Sequence, residues 1–228
     1  MQNLVKGVHH FQHHGFQQRQ RLYERLAVGQ SPEALFITCS DSRIDPNLIT
    51  NSPPGGLFIV RNVGNLIPCY GTSNNAELAA VEYAVAALGV KHIIICGHTG
   101  CGAMRALIEG GTAESLPAVT QWLRHAESTS AIVKEHYQHL SGDSLITAAS
   151  QENVLVQLEH LRTCPAVASR ISKGKVQLHG WMYKIETGEI FSYDSDAHQF
   201  LPISEKTEGV ESSGEEVTPI RGGMRVSA

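Results

Sequence analysis

Two short stretches of the chain carry side chains that bind metals and accept protons. Residues 39–43 read Cys-Ser-Asp-Ser-Arg, which places a thiol, a carboxylate and a guanidinium at alternate positions. Residues 98–101 read His-Thr-Gly-Cys, an imidazole and a thiol three positions apart. Thiolate and imidazole are common zinc ligands, and catalytic zinc sites have three protein ligands and one open position. Cys39, His98 and Cys101 therefore predict a Cys2His zinc site whose fourth position takes water or a carboxylate.

Asp41 and Arg43 indicate how that fourth position is controlled. Asp41 lies two residues from Cys39, so its carboxylate can accept a hydrogen bond from the water and orient it. The same carboxylate can instead ligate the metal and displace the water. A bidentate pair between Arg43 and Asp41 holds the carboxylate off the metal. We therefore assign both residues catalytic roles, with Asp41 a metal ligand only in a closed state.

Both stretches follow short apolar runs that are typical of buried strands. Residues 92–96 (HIIIC) precede His98, and residues 34–38 (ALFIT) precede Cys39. Ligands in open α/β sheets bind at the carboxyl ends of the strands. A helix predicted after Cys101 favours the thiolate at its N-terminus. The alternative, two unrelated loops that happen to carry thiols, fits poorly with a chain of only five cysteines.

Strand and helix patterns alternate along the chain and predict an α/β fold. Strands are also expected over residues 57–60, 176–183 and 190–193, and helices over residues 1–28, from Pro46, over 76–88 and within 115–173. Ser73 or Asn74 is expected to cap the helix at 76–88. Trp122 and Leu123 are expected in the core, and Arg61 is expected to bond carbonyls or a carboxylate beneath the site.

The chain divides into three predicted segments. Residues 1–29 are predicted to form a helical arm, residues 30–200 the zinc-binding α/β domain, and residues 201–228 a C-terminal tail. The tail has few large apolar side chains and five glutamates, a composition typical of disorder in isolation. Docking of the tail on another chain is the alternative.

Composition limits the classes of partner. The 228 residues have a formal net charge of −4, and no basic stripe is present, so nucleic acid is not expected. No apolar run is long enough for a membrane span, and no signal-peptide pattern is present at the N-terminus. An odd number of cysteines without an export signal predicts a cytoplasmic, reducing location.

Two histidine pairs lie at helical spacing in the predicted arm. His9 and His13, and likewise His10 and His14, are i,i+4 neighbours and could bind a metal on one helix face. At this level, a polar and partly exposed helix face is the favoured interpretation.

Five motifs, taken together and in order, resemble those of the β-class carbonic anhydrases. They are CSDSR (39–43), RNVGN (61–65), EYAV (82–85), GHTGCG (97–102) and LHGW (178–181). The similarity runs from about Gln30 to Tyr193. It is nearest in character to the carboxysomal enzymes of cyanobacteria, through SRIDPNLIT (42–50), IPCYG (67–71) and the stretch around Trp122.

This resemblance implies a fold, an activity and an assembly. The fold would have a mostly parallel sheet with flanking helices, in an obligate homodimer clasped by the N-terminal arms, or in a tetramer or hexamer. The activity would be reversible hydration of carbon dioxide to bicarbonate by zinc-bound hydroxide, with one Zn²⁺ per chain. It would supply carbon dioxide for photosynthetic carbon fixation, either free in the cytoplasm or inside a carboxysome with its scaffold proteins.

The resemblance also implies a set of substrate-binding residues, partly contributed by the second subunit. They are Gln30, Phe58, Val63, Tyr83 and Gly102. Without the resemblance, the apolar members of this set would be taken for ordinary core.

Two other functions remain compatible with the same motifs. One is hydrolysis of carbon disulfide or carbonyl sulfide on the same fold. The other is a zinc-stabilised carboxysome scaffold with little catalysis. The Asp41–Arg43 pair argues against pure scaffolding, because packing alone does not require it.

Overall fold

A six-stranded sheet forms the centre of the computed structural model, which describes residues 1–72, 75–110 and 115–203. The strand order is β2-β1-β3-β4-β5-β6. The first four strands in this order pair in parallel, and β5 and β6 add on in antiparallel fashion. The strands are β1 (Ala34–Cys39), β2 (Leu57–Asn62), β3 (His92–His98), β4 (Gln177–Tyr183), β5 (Ile190–Asp194) and β6 (Gln199–Pro202).

Helices precede, connect and flank these strands. They are α1 (Gln2–His10), α2 (Phe16–Gln18), α3 (Gln20–Leu26), α4 (Pro46–Ile49), α5 (Ala76–Glu82), α6 (Gly102–Glu109), α7 (Pro117–Leu123), α8 (Glu127–His136), α9 (Gly142–Thr163) and α10 (Pro165–Ile171). Single π-helical turns follow α1 and α5, over Phe11–Gly15 and Tyr83–Ala87. This architecture confirms the predicted α/β fold with a mostly parallel sheet. Among the described residues, no helix has both the length and the apolar character of a membrane span.

The longest of the described helices, α9, packs closely against β3 and β4. Glycine on each strand allows the approach. A Cβ at Gly97 would lie 2.9 Å from the Val154 side chain, and one at Gly180 would lie 2.9 Å from Val154 and 3.1 Å from Leu158. Real Cβ atoms essentially never approach as closely as 2.9 Å. The depth at which α9 lies on the sheet therefore depends on two residues without side chains.

The N-terminal arm is helical, as predicted, but it is not one continuous helix. The π turn at Phe11–Gly15 and a break at Arg19 divide it. Gly15 allows the Phe11 ring to lie against the backbone, since a Cβ there would be 3.1 Å from that ring. No residue of α1, α2 or α3 is buried. The large apolar side chains of α1 therefore face solvent in the single chain, whereas those of α3 are half-buried.

Several local expectations change in the structure. The helix α5 is capped by Asn75, whose side chain accepts a hydrogen bond from the Leu78 amide; the expected caps Ser73 and Asn74 lie outside the described residues. Leu123 is buried, whereas Trp122 is only half-buried, and its indole N–H donates to the Val63 carbonyl.

The strand β6 extends into the segment predicted as tail. Leu201 and Pro202 pair with β5, and the preceding Phe200 is buried in the core. Backbone pairing with β5 and one buried aromatic ring hold these four residues on the edge strand, where a proline is tolerated. Of the predicted tail, residues 204–228 lie outside the described residues.

Adding one methyl group at Gly180 tests the contact between α9 and the sheet. Gly180→Ala should lower the free energy of unfolding by about 1–3 kcal/mol, because overpacking a tight core contact forces side chains off their rotamers. The matched control is Gly29→Ala, where a Cβ meets nothing within 4 Å. Urea unfolding of both variants measures the difference. Equal midpoints would show that α9 does not pack on Gly180 this closely.

Candidate metal centre

Two neighbouring parallel strands bring the predicted metal ligands to one edge of the sheet. Cys39 is the last residue of β1 and His98 the last of β3. Their registers pair Thr38 with Cys96, so both strands end at nearly the same level. Cys101 follows three residues later, as the residue that precedes α6. The strand order therefore places all three side chains together.

The ligand atoms of Cys39, His98 and Cys101 all lie within 4.8 Å of one another. All three side chains are buried, and His98 is completely inaccessible. Three donors that converge in a buried space are arranged to bind one metal ion. Two sulfurs and one nitrogen are a donor set of the kind found in catalytic zinc sites.

The histidine tautomer leaves a lone pair for the metal. His98 Nδ1 lies 2.9 Å from the Thr99 carbonyl oxygen, which can only accept, so Nδ1 carries the proton. Nε2 then presents its lone pair. This atom is buried and has no hydrogen-bond partner among the described residues. A buried nitrogen without a partner is costly, and a bound metal ion removes that cost.

The two thiols compete for ionisation. A hydrogen bond from Cys101, with weaker help from the Gly64 amide, lowers the pKa of Cys39 despite burial. The Cys39 sulfur and burial in turn raise the pKa of Cys101. Two adjacent thiolates in a buried space need a cation between them. A divalent metal ion meets that need, since metals bind the deprotonated form.

The loop after β2 contributes a backbone donor that the sequence analysis did not identify. The Gly64 amide donates to Cys39 Sγ over 3.4 Å. Gly64 has φ +82, and a Cβ there would lie 3.1 Å from the Ala103 Cβ, so a side chain is disfavoured twice. The glycine of the RNVGN motif thus brings an N–H to a ligand sulfur.

Two buried polar residues of α9 hold that loop in place. Asn153 Nδ2 donates to the Gly64 carbonyl over 2.9 Å, and Gln157 Nε2 donates to Asn153 Oδ1 over 3.0 Å. Gln157 Oε1 accepts from the Ile67 amide over 2.7 Å. Both side chains are buried, which is unusual for amides unless they are hydrogen-bonded. Sequence reasoning missed them because a polar residue within a helix is normally solvent-exposed.

Asp41 and Arg43 form a bidentate pair beside the ligand set. Arg43 Nε donates to Asp41 Oδ1 over 2.9 Å, and Arg43 Nη2 donates to Oδ2 over 2.7 Å. The hydrogen bonds from Arg43 hold the pKa of the Asp41 carboxyl well below its usual range. Asp41 Oδ2 lies 3.9 Å from His98 Nε2. The carboxylate is therefore ionised and close to the ligands while both its oxygens are bound by Arg43.

Backbone contacts fix this pair relative to the metal ligands. Arg43 Nη2 also donates to the Gly100 carbonyl over 3.2 Å, in the loop between His98 and Cys101. Arg61 donates to the carbonyl oxygens of Cys39 and Asp41 over 3.2 and 2.7 Å. Arg61 thus bonds carbonyls beneath the site, as expected.

The candidate substrate-binding residues fall in two places. Val63 and Gly102 adjoin the metal centre, next to Gly64 and Cys101 respectively, and both are exposed. Phe58 and Tyr83 lie together, with ring centroids 6.0 Å apart. Phe58 pairs with Leu35, whereas Asn62 pairs with Cys39, so four strand residues, roughly 13 Å, separate Phe58 from the metal edge.

Gln30 also lies toward the amino-terminal end of the strands, away from the metal ligands. It is exposed in the loop that leads to β1, four residues before the strand begins and on the side opposite Cys39. Within one chain, Gln30, Phe58 and Tyr83 are therefore grouped toward the amino ends of the strands, away from their own metal ligands.

Known proteins share this sequence and fold. Residues 34–190 match the sequence model of the carbonic anhydrase family. A Synechocystis carbonic anhydrase is 47% identical over 216 residues, which cover 94% of this chain and 79% of that protein. The solved structure of the β-carbonic anhydrase CcaA is 48% identical with a TM-score of 0.88, covering 89% of this chain and 99% of the other.

A more distant structure has the same fold in an oligomer. A tetrameric β-carbonic anhydrase of Sordaria macrospora is 28% identical with a TM-score of 0.73, over 84% of this chain and 95% of that one. The family match includes the whole metal centre, from Cys39 to Cys101. The chain belongs to the carbonic anhydrases, and within them to the β class.

Proposed function

We propose that this protein catalyses the reversible hydration of carbon dioxide to bicarbonate with one Zn²⁺ held by Cys39, His98 and Cys101. The observation that carries the proposal is the position of Asp41. Its carboxylate lies beside the ligand set, 3.9 Å from His98 Nε2, yet Arg43 binds both of its oxygens. A purely structural zinc site would use a fourth protein ligand, and here the nearest candidate is held by an arginine.

Each residue then has a defined task. When bound, zinc acts as a Lewis acid that lowers the pKa of a coordinated water. Asp41 keeps free lone pairs after its hydrogen bonds to Arg43. It can therefore accept a hydrogen bond from that water and orient it. Arg43 keeps the carboxylate ionised and prevents it from becoming a ligand. The Gly102 amide, at the start of α6, is a candidate donor to a bicarbonate oxygen.

A second subunit completes the site in this proposal. Gln30, Phe58 and Tyr83 lie toward the end of the sheet away from their own metal ligands. They can bind substrate only at the metal centre of another copy. The exposed apolar side chains of α1, including Leu4 at 69% and Val8 at 55%, are suited to pack on such a partner. The proposed assembly is a homodimer or a higher oligomer built from it.

The cellular role is a finer proposal. The similarity to cyanobacterial proteins supports a role in supplying carbon dioxide for photosynthetic carbon fixation, with a carboxysome as the location and its scaffold proteins as partners. Fractionation of cells that express the chain at its native level tests the location. Recovery of the chain outside the carboxysome fraction would reject it.

Metal analysis together with stopped-flow carbon dioxide hydration tests the reaction and its ligands. The purified chain should hold one zinc ion and hydrate carbon dioxide, and Cys101→Ala should lose both, because the site then has two protein ligands. Cys69→Ala is the matched control, a free cysteine that is not in the ligand set, and should keep both. A zinc-loaded wild type that hydrolyses carbonyl sulfide but leaves carbon dioxide unchanged would reject the proposed substrate, and zinc without either activity would indicate a scaffold.

Removing the Arg43 side chain frees the Asp41 carboxylate and tests the role of Arg43. Arg43→Ala should keep its zinc but lose most of its activity, because the freed carboxylate can ligate zinc at about 2.0–2.2 Å and displace the water. Asp41→Ala should lose at most about 10²–10⁴-fold in rate, the usual contribution of one positioned acid–base group. The Arg43→Ala/Asp41→Ala double variant should be no slower than Asp41→Ala, since nothing then blocks the metal.

The control for this series is Arg105→Ala, which removes an arginine bound to Glu109 and Asp143 on the protein surface. Its pH–rate profile should match the wild type. Near-normal activity in Arg43→Ala would remove the basis for the gating role.

Mixed dimers test whether the site is shared between subunits. A chain with Gln30→Ala and Tyr83→Ala should be about fivefold or more slower as a homodimer, since one lost hydrogen bond of roughly 1 kcal/mol corresponds to about that factor. Paired with an Asp41→Ala chain, it should regain about half of the wild-type rate, because one of the two sites then has every residue intact. If the substrate residues acted within their own chain, the isolated mixed dimer would be no faster than the faster of the two variant homodimers.

A further inference from the structure

We propose that His10 and His14 form a second metal site, which binds a divalent late first-row transition-metal ion on the N-terminal arm. The segment that contains them reads His-His-Phe-Gln-His-His over residues 9–14. It lies on α1 and the π turn that follows, outside the catalytic domain and outside the Cys39 ligand set. The carbonic anhydrase reaction does not use it.

The distance between the two rings fits a shared ion. The ring centroids of His10 and His14 are 5.0 Å apart, and the ring planes are tilted by 47°. A metal binds an imidazole nitrogen at about 2.0–2.1 Å, which puts the ion roughly 3 Å from each centroid. Two imidazoles on one near-tetrahedral ion therefore have centroids about 5 Å apart. The observed separation needs little adjustment for both nitrogens to reach one ion.

The neighbouring pair has the same spacing in sequence but a different geometry. The centroids of His9 and His13 are 6.5 Å apart and the rings are stacked, with only 16° between their planes. That separation would require an almost linear arrangement of the two nitrogens about the ion, and stacked rings do not direct their nitrogens toward a common point. The chain thus contains an internal comparison between two i,i+4 pairs in the same segment.

The ligand atoms available near His10 and His14 determine which class of metal ion can bind. The first acidic residue of the chain is Glu24, so no carboxylate precedes it in the arm. A site with only imidazole donors suits zinc, nickel and copper, whereas magnesium and calcium require oxygen ligands. Water would fill the remaining coordination positions, because both side chains are exposed.

His10 is offset from the apolar stripe of α1. The stripe runs through Leu4, Val8 and Phe11, at i, i+4 and i+7. His10 lies two residues after Val8 and one before Phe11, on a different face, whereas His14, three residues after Phe11, lies beside the stripe. A partner that covers the stripe therefore leaves His10 uncovered, and metal binding in the assembled protein requires that it also leave the His14 imidazole uncovered.

Equilibrium dialysis against Ni²⁺ tests this site on the full-length, untagged, zinc-loaded protein. The wild type should bind one Ni²⁺ per chain in addition to its zinc, with the zinc content unchanged. His10→Ala/His14→Ala should weaken Ni²⁺ binding on the order of 10²-fold, because a second donor on the same scaffold adds its binding as an intramolecular step. His9→Ala/His13→Ala, the matched control, should bind Ni²⁺ like the wild type. All three proteins should hydrate carbon dioxide at the same rate.

Three outcomes would overturn the assignment. The first is wild-type protein that binds no Ni²⁺ beyond its catalytic metal. The second is undiminished binding in His10→Ala/His14→Ala. The third is an equal loss in both double variants, which would show that the ion is shared among all four histidines rather than held by one pair.

Discussion

The site depends on the parallel pairing of β1 with β3. Because these strands are neighbours in register, their last residues, Cys39 and His98, meet at one edge of the sheet. The turn that follows β3 then needs only three residues to return Cys101 to the same point. Every other feature of the metal centre is arranged around this end of the sheet.

Hydrogen bonds carry this geometry outward from the ligands. The Gly64 amide contacts the Cys39 sulfur, Asn153 holds the Gly64 carbonyl, and Gln157 holds Asn153. Val154, between those two amides on α9, is the residue that fills the space above Gly97 and Gly180. One helix therefore both packs the sheet and supports the loop that contacts a ligand. In the proposed function, a change in packing at Val154 would be transmitted to the metal through two hydrogen bonds.

The sequence predicted the parts of the site that are local. Cys39, His98 and Cys101 follow apolar strands directly, and the pairing of Asp41 with Arg43 needs only two residues of chain, so pattern and spacing suffice. Asn153 and Gln157 were not predicted, because their burial depends on where α9 lies on the sheet. The cap Asn75 and the strand β6 were missed for a related reason. Neighbouring polar residues are nearly equivalent as caps, and four residues containing Pro202 do not show a strand pattern.

The two ends of the sheet have different roles, and this difference bears on the assembly. The carboxyl ends hold the metal ligands and the Asp41–Arg43 pair, while Gln30, Phe58 and Tyr83 lie toward the amino ends. A single chain therefore has a metal centre without those three residues. Tyr83 is 51% exposed in the single chain, an unusual position for an aromatic side chain that has only a packing role. If these residues bind substrate, as the family resemblance implies, activity requires a second copy, and the exposed arm provides the apolar surface that would hold the two copies together.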